Sequence, residues 1–138
     1  MVKTKKSLSR KGSKKKTTKN DGAEILKDQV IAGMQEKKAK EIVSIDLRSI
    51  KNAVADFFII CHADSKTHVE AISDSIEEYV FKKTGEYPNH KEGYSNAEWI
   101  VLDYVDVVAH VFRQEQRVFY GIERLWADAE IQRIATNF

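Results

Sequence analysis

Leu26, Val30 and Met34 recur every four positions, the spacing of one helical face. Asp21, followed three residues later by Glu24, resembles a capping box in an Asp variant, and Lys37, Lys38 and Lys40 suit a helix C-terminus. A first helix is therefore predicted from Asp21 to about Lys38. Glu41–Leu47 alternates Ile and Val with polar residues, and Phe57–Cys61 is a continuous apolar run rich in aromatic and β-branched residues. Both predict strands, the second central in its sheet. Ser65 can cap a helix whose Val69, Ile72, Ile76 and Val80 form one stripe, with a left-handed terminal residue at Gly85. Pro88 and Gly93 mark a loop. Val118, Ile122, Leu125 and Trp126, at spacings of three and four, predict a last helix, and Ile131 and Ile134 a short helical tail.

Between these lies the most informative stretch, Trp99–Phe112. A two-residue turn at Val105-Asp106 pairs Tyr104 with Val107, Asp103 with Val108, Leu102 with Ala109, Val101 with His110, Ile100 with Val111 and Trp99 with Phe112. Alternation then puts Ile100, Leu102, Tyr104, Val107, Ala109 and Val111 on one face and Trp99, Val101, Asp103, Val108, His110 and Phe112 on the other. The first face reads as core. The second mixes aromatics with an acid and an imidazole, the composition of a contact surface. Val105-Asp106 is chemically a poor turn pair. At most five strands interleaved with helices and one hairpin give an α/β (α+β) domain with a mixed five-stranded sheet.

Charge divides the chain in two. Residues 1–20 hold eight Lys and one Arg and no acid, so a total of +2 leaves −7 on the rest. The Ser-, Thr- and Gly-containing arm cannot build a core and is expected to be disordered when free, leaving residues 21–138 as a single domain. The arm suits nucleic-acid phosphates and the acidic body a basic partner. It lacks the apolar stretch of a secretory signal and the Arg-rich amphipathic character of a transit peptide. No run approaches the ~20 apolar residues of a membrane span, and the single Cys61 excludes an internal disulfide. A cytoplasmic protein is expected.

Trp99-Ile-Val-Leu-Asp103, Asp106-Val-Val-Ala-His110-Val-Phe112, Arg117-Val-Phe-Tyr120 and Leu125-Trp126 follow one another in an order and spacing that resembles the ribosomal silencing factor (Iojap-like) family. Ala55–Cys61, Ser65 and Glu92-Gly93 resemble it upstream, so the similarity runs from about Ala23 to Trp126. Two positions depart: Val105 stands where the family commonly has Gly, and Ala109 where it has Val. The resemblance implies a nucleotidyltransferase-like fold without catalytic motifs. It also implies binding to large-subunit ribosomal protein uL-fourteen, and steric obstruction of the small subunit that represses translation.

The residues expected to meet the partner are Trp99, Asp103, Asp106, His110, Phe112, Arg117 and Tyr120. Trp99 and Phe112 could equally be core, and the composition of their face favours contact. Asp103 is costly to bury unpaired, which favours an interface or a bond to His110, its diagonal neighbour. Arg117 and Tyr120 are not decided by the residues themselves, whereas Trp126 reads as a helix anchor on the sheet. Asp56 reads as a loop or strand-edge residue. rRNA contacts by the arm and a homodimer through the Trp99/Phe112 face are further expectations.

An enzyme is the alternative, either a nucleotidyltransferase or a nucleotide-binding protein. An Asp–His pair could orient a base, but no nucleophile completes it: Cys61 lies in an apolar strand, where thiols are usually inert, and Ser95 has no motif around it. The only Gly-Ser pair, Gly12-Ser13, is in the arm, and Asp103 and Asp106 do not share a face for magnesium. His62, His68, His90 and His110 lack ligand spacing. No catalytic residue, metal or cofactor is therefore expected.

Overall fold

The computed structural model describes residues 21–135; the arm, and with it the expectation of disorder, lies outside the described residues. Helix α1 (Asp21–Glu36) is followed by β1 (Lys40–Asp46), β2 (Phe57–Ala63) and α2 (Lys66–Thr84). After these come β3 (His90–Glu92), β4 (Trp99–Asp103), β5 (Val107–Arg113), α3 (Gln114–Tyr120), α4 (Ile122–Leu125) and β6 (Glu130–Arg133). The six strands form one mixed sheet in the order β3-β4-β5-β2-β1-β6. Only β2 and β5 run parallel, and every other neighbouring pair is antiparallel.

Helices α1 and α2 cover one face. Leu26, Val30 and Met34 from α1 and Val69, Ile72, Ile76 and Val80 from α2 are buried against Ile59 and Cys61 of β2, Ile100 and Leu102 of β4, and Val107, Ala109 and Val111 of β5. Ser65 caps α2 by accepting from the His68 amide at 3.1 Å, and Gly85 closes it at φ 77°. Cys61 is fully buried in this layer, and burial pushes its thiol up to about 12, so it stays protonated and unreactive.

Four expectations are corrected. The predicted loop after Pro88 contains the edge strand β3, which pairs His90 with Asp103. The single last helix is two short ones, because Gly121 adopts φ 53° and its amide bonds back to the Arg117 carbonyl as a left-handed C-cap. A Cβ at Gly121 would first meet the Arg124 guanidinium, the end of an exposed side chain that can move aside, so it is the positive φ that favours glycine at this junction. The predicted helical tail is β6, which places Ile131 opposite Ile45 and satisfies the outer edge of β1. The sheet consequently has six strands, not five.

The hairpin has the expected register, from Trp99 opposite Phe112 to Asp103 opposite Val108. Its turn holds Val105 at φ 77°, an unusual conformation for a β-branched residue. The Asp103 carboxylate accepts from the Val105 amide at 2.8 Å and Tyr104 donates to the Val107 carbonyl at 2.9 Å. The Asp106 carbonyl receives the amides of Asp56 and Phe57. These bonds tie the strained tip to the start of β2.

Candidate partner-binding site

The second sheet face is built differently. Val43, Ile45, Leu47, Ile60 and Phe112 form a smaller core there, closed by Ile122 and Ala129 and flanked by Ile50, Ala53, Phe58, Trp99 and Trp126. Trp126 meets Phe58 edge-on at 5.8 Å, as an anchor on the sheet would. From Phe58 the rings continue to His110 (4.7 Å), and Trp99 stacks on Phe112 at 4.9 Å while touching Tyr120 at 4.8 Å. Phe119 stands edge-on to Tyr120 at 5.0 Å. An aromatic path thus runs from the interior to the surface.

His110 and Trp99 are joined by a hydrogen bond. The indole carries only a donor, so the 3.1 Å contact between Trp99 Nε1 and His110 Nδ1 makes Nδ1 an unprotonated acceptor. The ring proton then sits on Nε2, which is buried with no hydrogen-bond partner among the described residues. Burial pushes the His110 pKa down to about 3, so the imidazole is neutral at ordinary pH and keeps the indole in place. The expected Asp103–His110 bond does not form: the Asp103 carboxylate turns back to the Val105 amide, and the His110 Nε2 donor is left without a partner among the described residues.

Of the seven expected contact residues, three are interior. Phe112 is 0% exposed, His110 6% and Arg117 8%. Phe112 is core because Ile122 and neighbouring side chains cover the β1–β5 part of this face, which strand alternation alone could not reveal. Arg117 turns inward onto Glu123 and the Glu41 carbonyl. Trp99 and Asp103 are half-buried, and Asp106 and Tyr120 are exposed at the hairpin tip and the end of α3.

The residues that sequence reasoning missed as surface are Val118, Phe119 and Leu125, exposed by 70%, 76% and 73%. A signal was available. Val118-Phe119-Tyr120 are consecutive, and at about 100° per residue three such positions sweep roughly 200° of a helix, too much for one buried stripe. Trp99 reaches this apolar run through Tyr120. Behind it a cavity of about 330 Å³ is lined by Glu41, His62, Arg117, Glu123, Arg124 and Arg133 among others. Among the described residues no three His, Cys, Asp or Glu side chains gather as metal ligands, and no helix is long and apolar enough to cross a membrane.

The family model described as "Ribosomal silencing factor during starvation" matches residues 20–137. The chain belongs to the ribosomal silencing factor family. A ribosomal silencing factor of Halalkalibacterium halodurans is 37% identical over 99 residues, covering 72% of this chain and 83% of that protein. A crystal structure of a Chromobacterium violaceum protein superposes with a TM-score of 0.71 at 26% identity, covering 83% of this chain and 92% of the other. A more distant relative is a mouse protein named "Mitochondrial assembly of ribosomal large subunit protein 1", 26% identical over 122 residues, covering 84% of this chain and 53% of that protein. The mixed α+β sheet with flanking helices is shared with solved relatives of this silencing factor family.

Proposed function

We propose that this ribosomal silencing factor docks on the large ribosomal subunit through ribosomal protein uL-fourteen and so keeps the small subunit from joining. The observation that carries the reading is the exposed apolar run Val118-Phe119-Tyr120, in contact through Tyr120 with half-buried Trp99. A soluble chain leaves such a cluster open where a partner covers it. Family membership gives the ribosomal role, and the name of the mouse relative associates it with the large subunit. Repression follows from occupancy alone: bound factor removes free large subunits by mass action, and no chemical turnover is involved. The Asp103 and Asp106 carboxylates then serve the turn and the rim of the contact rather than a magnesium ion. The nine positive charges of the arm supply phosphate contacts on rRNA that weaken steeply with salt.

Sedimentation of the full chain with purified subunits tests this. It should co-pellet with large and not with small subunits, and added factor should lower the yield of joined ribosomes. Equal recovery with both subunits would overturn the reading. The same apolar face offered to a second copy makes a homodimer, and equilibrium sedimentation of the protein alone identifies that use.

A further inference from the structure

Arg117 directly precedes the exposed apolar run Val118-Phe119-Tyr120, yet its guanidinium is directed into the protein. Nη1 donates to the Glu41 carbonyl at 2.7 Å and meets His62 Nδ1 at 2.9 Å. Nε and Nη2 form a fork on the two carboxylate oxygens of Glu123 at 3.1 and 2.9 Å. One side chain on α3 is thereby bonded to β1, β2 and α4. Its own carbonyl receives the Gly121 amide that ends α3. No other described contact joins α3, α4 and the ends of both strands through a single residue.

We infer that Arg117 is the positioning residue of the docking face, fixing α3 and α4 on the sheet edge so that Val118, Phe119 and Tyr120 are presented together, and that it does so only while His62 is uncharged. The inference rests on the docking reading above. A guanidinium has donors only, so the Nδ1 atom that faces it must be an unprotonated acceptor. Protonating His62 replaces that hydrogen bond with two cations in contact. A neutral His62 is therefore a condition of the arrangement.

The groups around His62 set where this happens. Arg117 faces it from α3, Glu41 and Lys40 from β1, Asp64 from just past the end of its own strand and Glu123 from α4, while Arg124 of α4 and Arg133 of β6 line the same cavity. Burial foremost, then Arg117, hold its pKa below the ordinary 6.5, against the opposing pull of Asp64 and Glu41. The folded protein thus resists a proton that the unfolded chain accepts. The stabilisation is complete above about pH 6.5 and is lost as pH falls from there through the folded-state value. The bonds from Arg117 hold the Glu123 carboxyl below its ordinary range, which keeps the other side of the guanidinium paired with an anion.

Hydrogen exchange on the full chain, corrected for intrinsic rates, reads the position of α3 and α4 without any partner. In Arg117→Lys a single ammonium cannot fork Glu123 and also reach Glu41 and His62. Amides of residues 118–126 should exchange on the order of tenfold faster, those of α2 should not change, and large-subunit affinity should fall by a similar factor. The wild type should show the same acceleration as pH is lowered from 7 through the titration of His62. His62→Asn, whose amide oxygen can accept in place of Nδ1 and does not titrate, should not. Unchanged exchange in Arg117→Lys, or an acid response in His62→Asn equal to wild type, overturns the inference, as does large-subunit binding indifferent to Arg117→Lys alone. If binding ignores both Arg117→Lys and Phe119→Ala while the exchange results stand, the docking reading fails and takes the inference with it.

Discussion

Under α1 and α2 the sheet is closed by aliphatic side chains from two amphipathic helices, whose inward stripes Leu26-Val30-Met34 and Val69-Ile72-Ile76-Val80 are buried. On the opposite face the covering elements are two short helices and a loop, aromatic rings are packed among the aliphatic side chains, and Trp99, Val101 and Asp103 along β4 remain half-buried. The first face buries few polar side chains, with Ser73 and Ser75 donating to the Val69 and Gly33 carbonyls, whereas the second contains the Trp99–His110 bond and the Arg117 network. The difference separates two tasks. Both faces bury a core, and the aromatic face in addition holds a set of exposed rings in a defined place. Polar groups inside the aromatic face serve position, since each fixes the orientation of a neighbour that reaches the surface.

The largest effect expected from this contrast is on Phe112, the buried centre of the aromatic face. Phe112→Ala should cost about 3–5 kcal/mol of unfolding free energy in a denaturant melt. A loss within experimental error would mean that this face is not a core, and that the stacked Trp99 does not depend on it. Next comes Phe119, on the same path but outside. Phe119→Ala should leave stability within about 0.5 kcal/mol of wild type while weakening large-subunit binding by about 2 kcal/mol, roughly 30-fold. Melting and binding measured on the one variant sharpen the boundary between core and contact, and a large fall in melting temperature would move Phe119 to the core side.

The smallest effect lies at the hairpin tip. Val105 occupies φ 77°, a strain that glycine relieves at some entropic cost, so Val105→Gly should stabilise the protein by about 0.5–1 kcal/mol. Subunit binding should be unaltered if the tip contributes only geometry. A destabilised Val105→Gly variant would show that the Val side chain packs to more advantage than its backbone costs.

Much of the fold was legible because local patterns and tertiary packing agree. The stripe on α2, its Ser65 and Gly85 caps, the central position of β2 and the register of the Trp99–Phe112 hairpin all follow from periodicity and turn chemistry. The disagreements occur where one local signal supports two outcomes. Val118 and Leu125 have helical spacing, but the left-handed Gly121 between them ends the helix and turns both outward. Ile131 and Ile134 suit a helix as well as a strand, and the unpaired edge of β1 decides for the strand.

The sequence by itself determined the helical face of the domain, the pairing of the hairpin and, through the resemblance of its motifs, the family. These depend on neighbours along the chain, whose geometry is set by backbone periods of 3.6 and 2 residues. Only the tertiary structure decided which members of the aromatic face are interior. Alternation says which side of a strand a residue occupies, but not what lies over it. The cover comes from Ile122, Trp126 and Ala129, ten or more residues beyond Phe112, and it buries Phe112 while leaving Trp99 at the edge. Arg117 likewise could not be placed from its spacing, because the Glu41 carbonyl and His62 that receive it are brought together only when β1 and β2 pair.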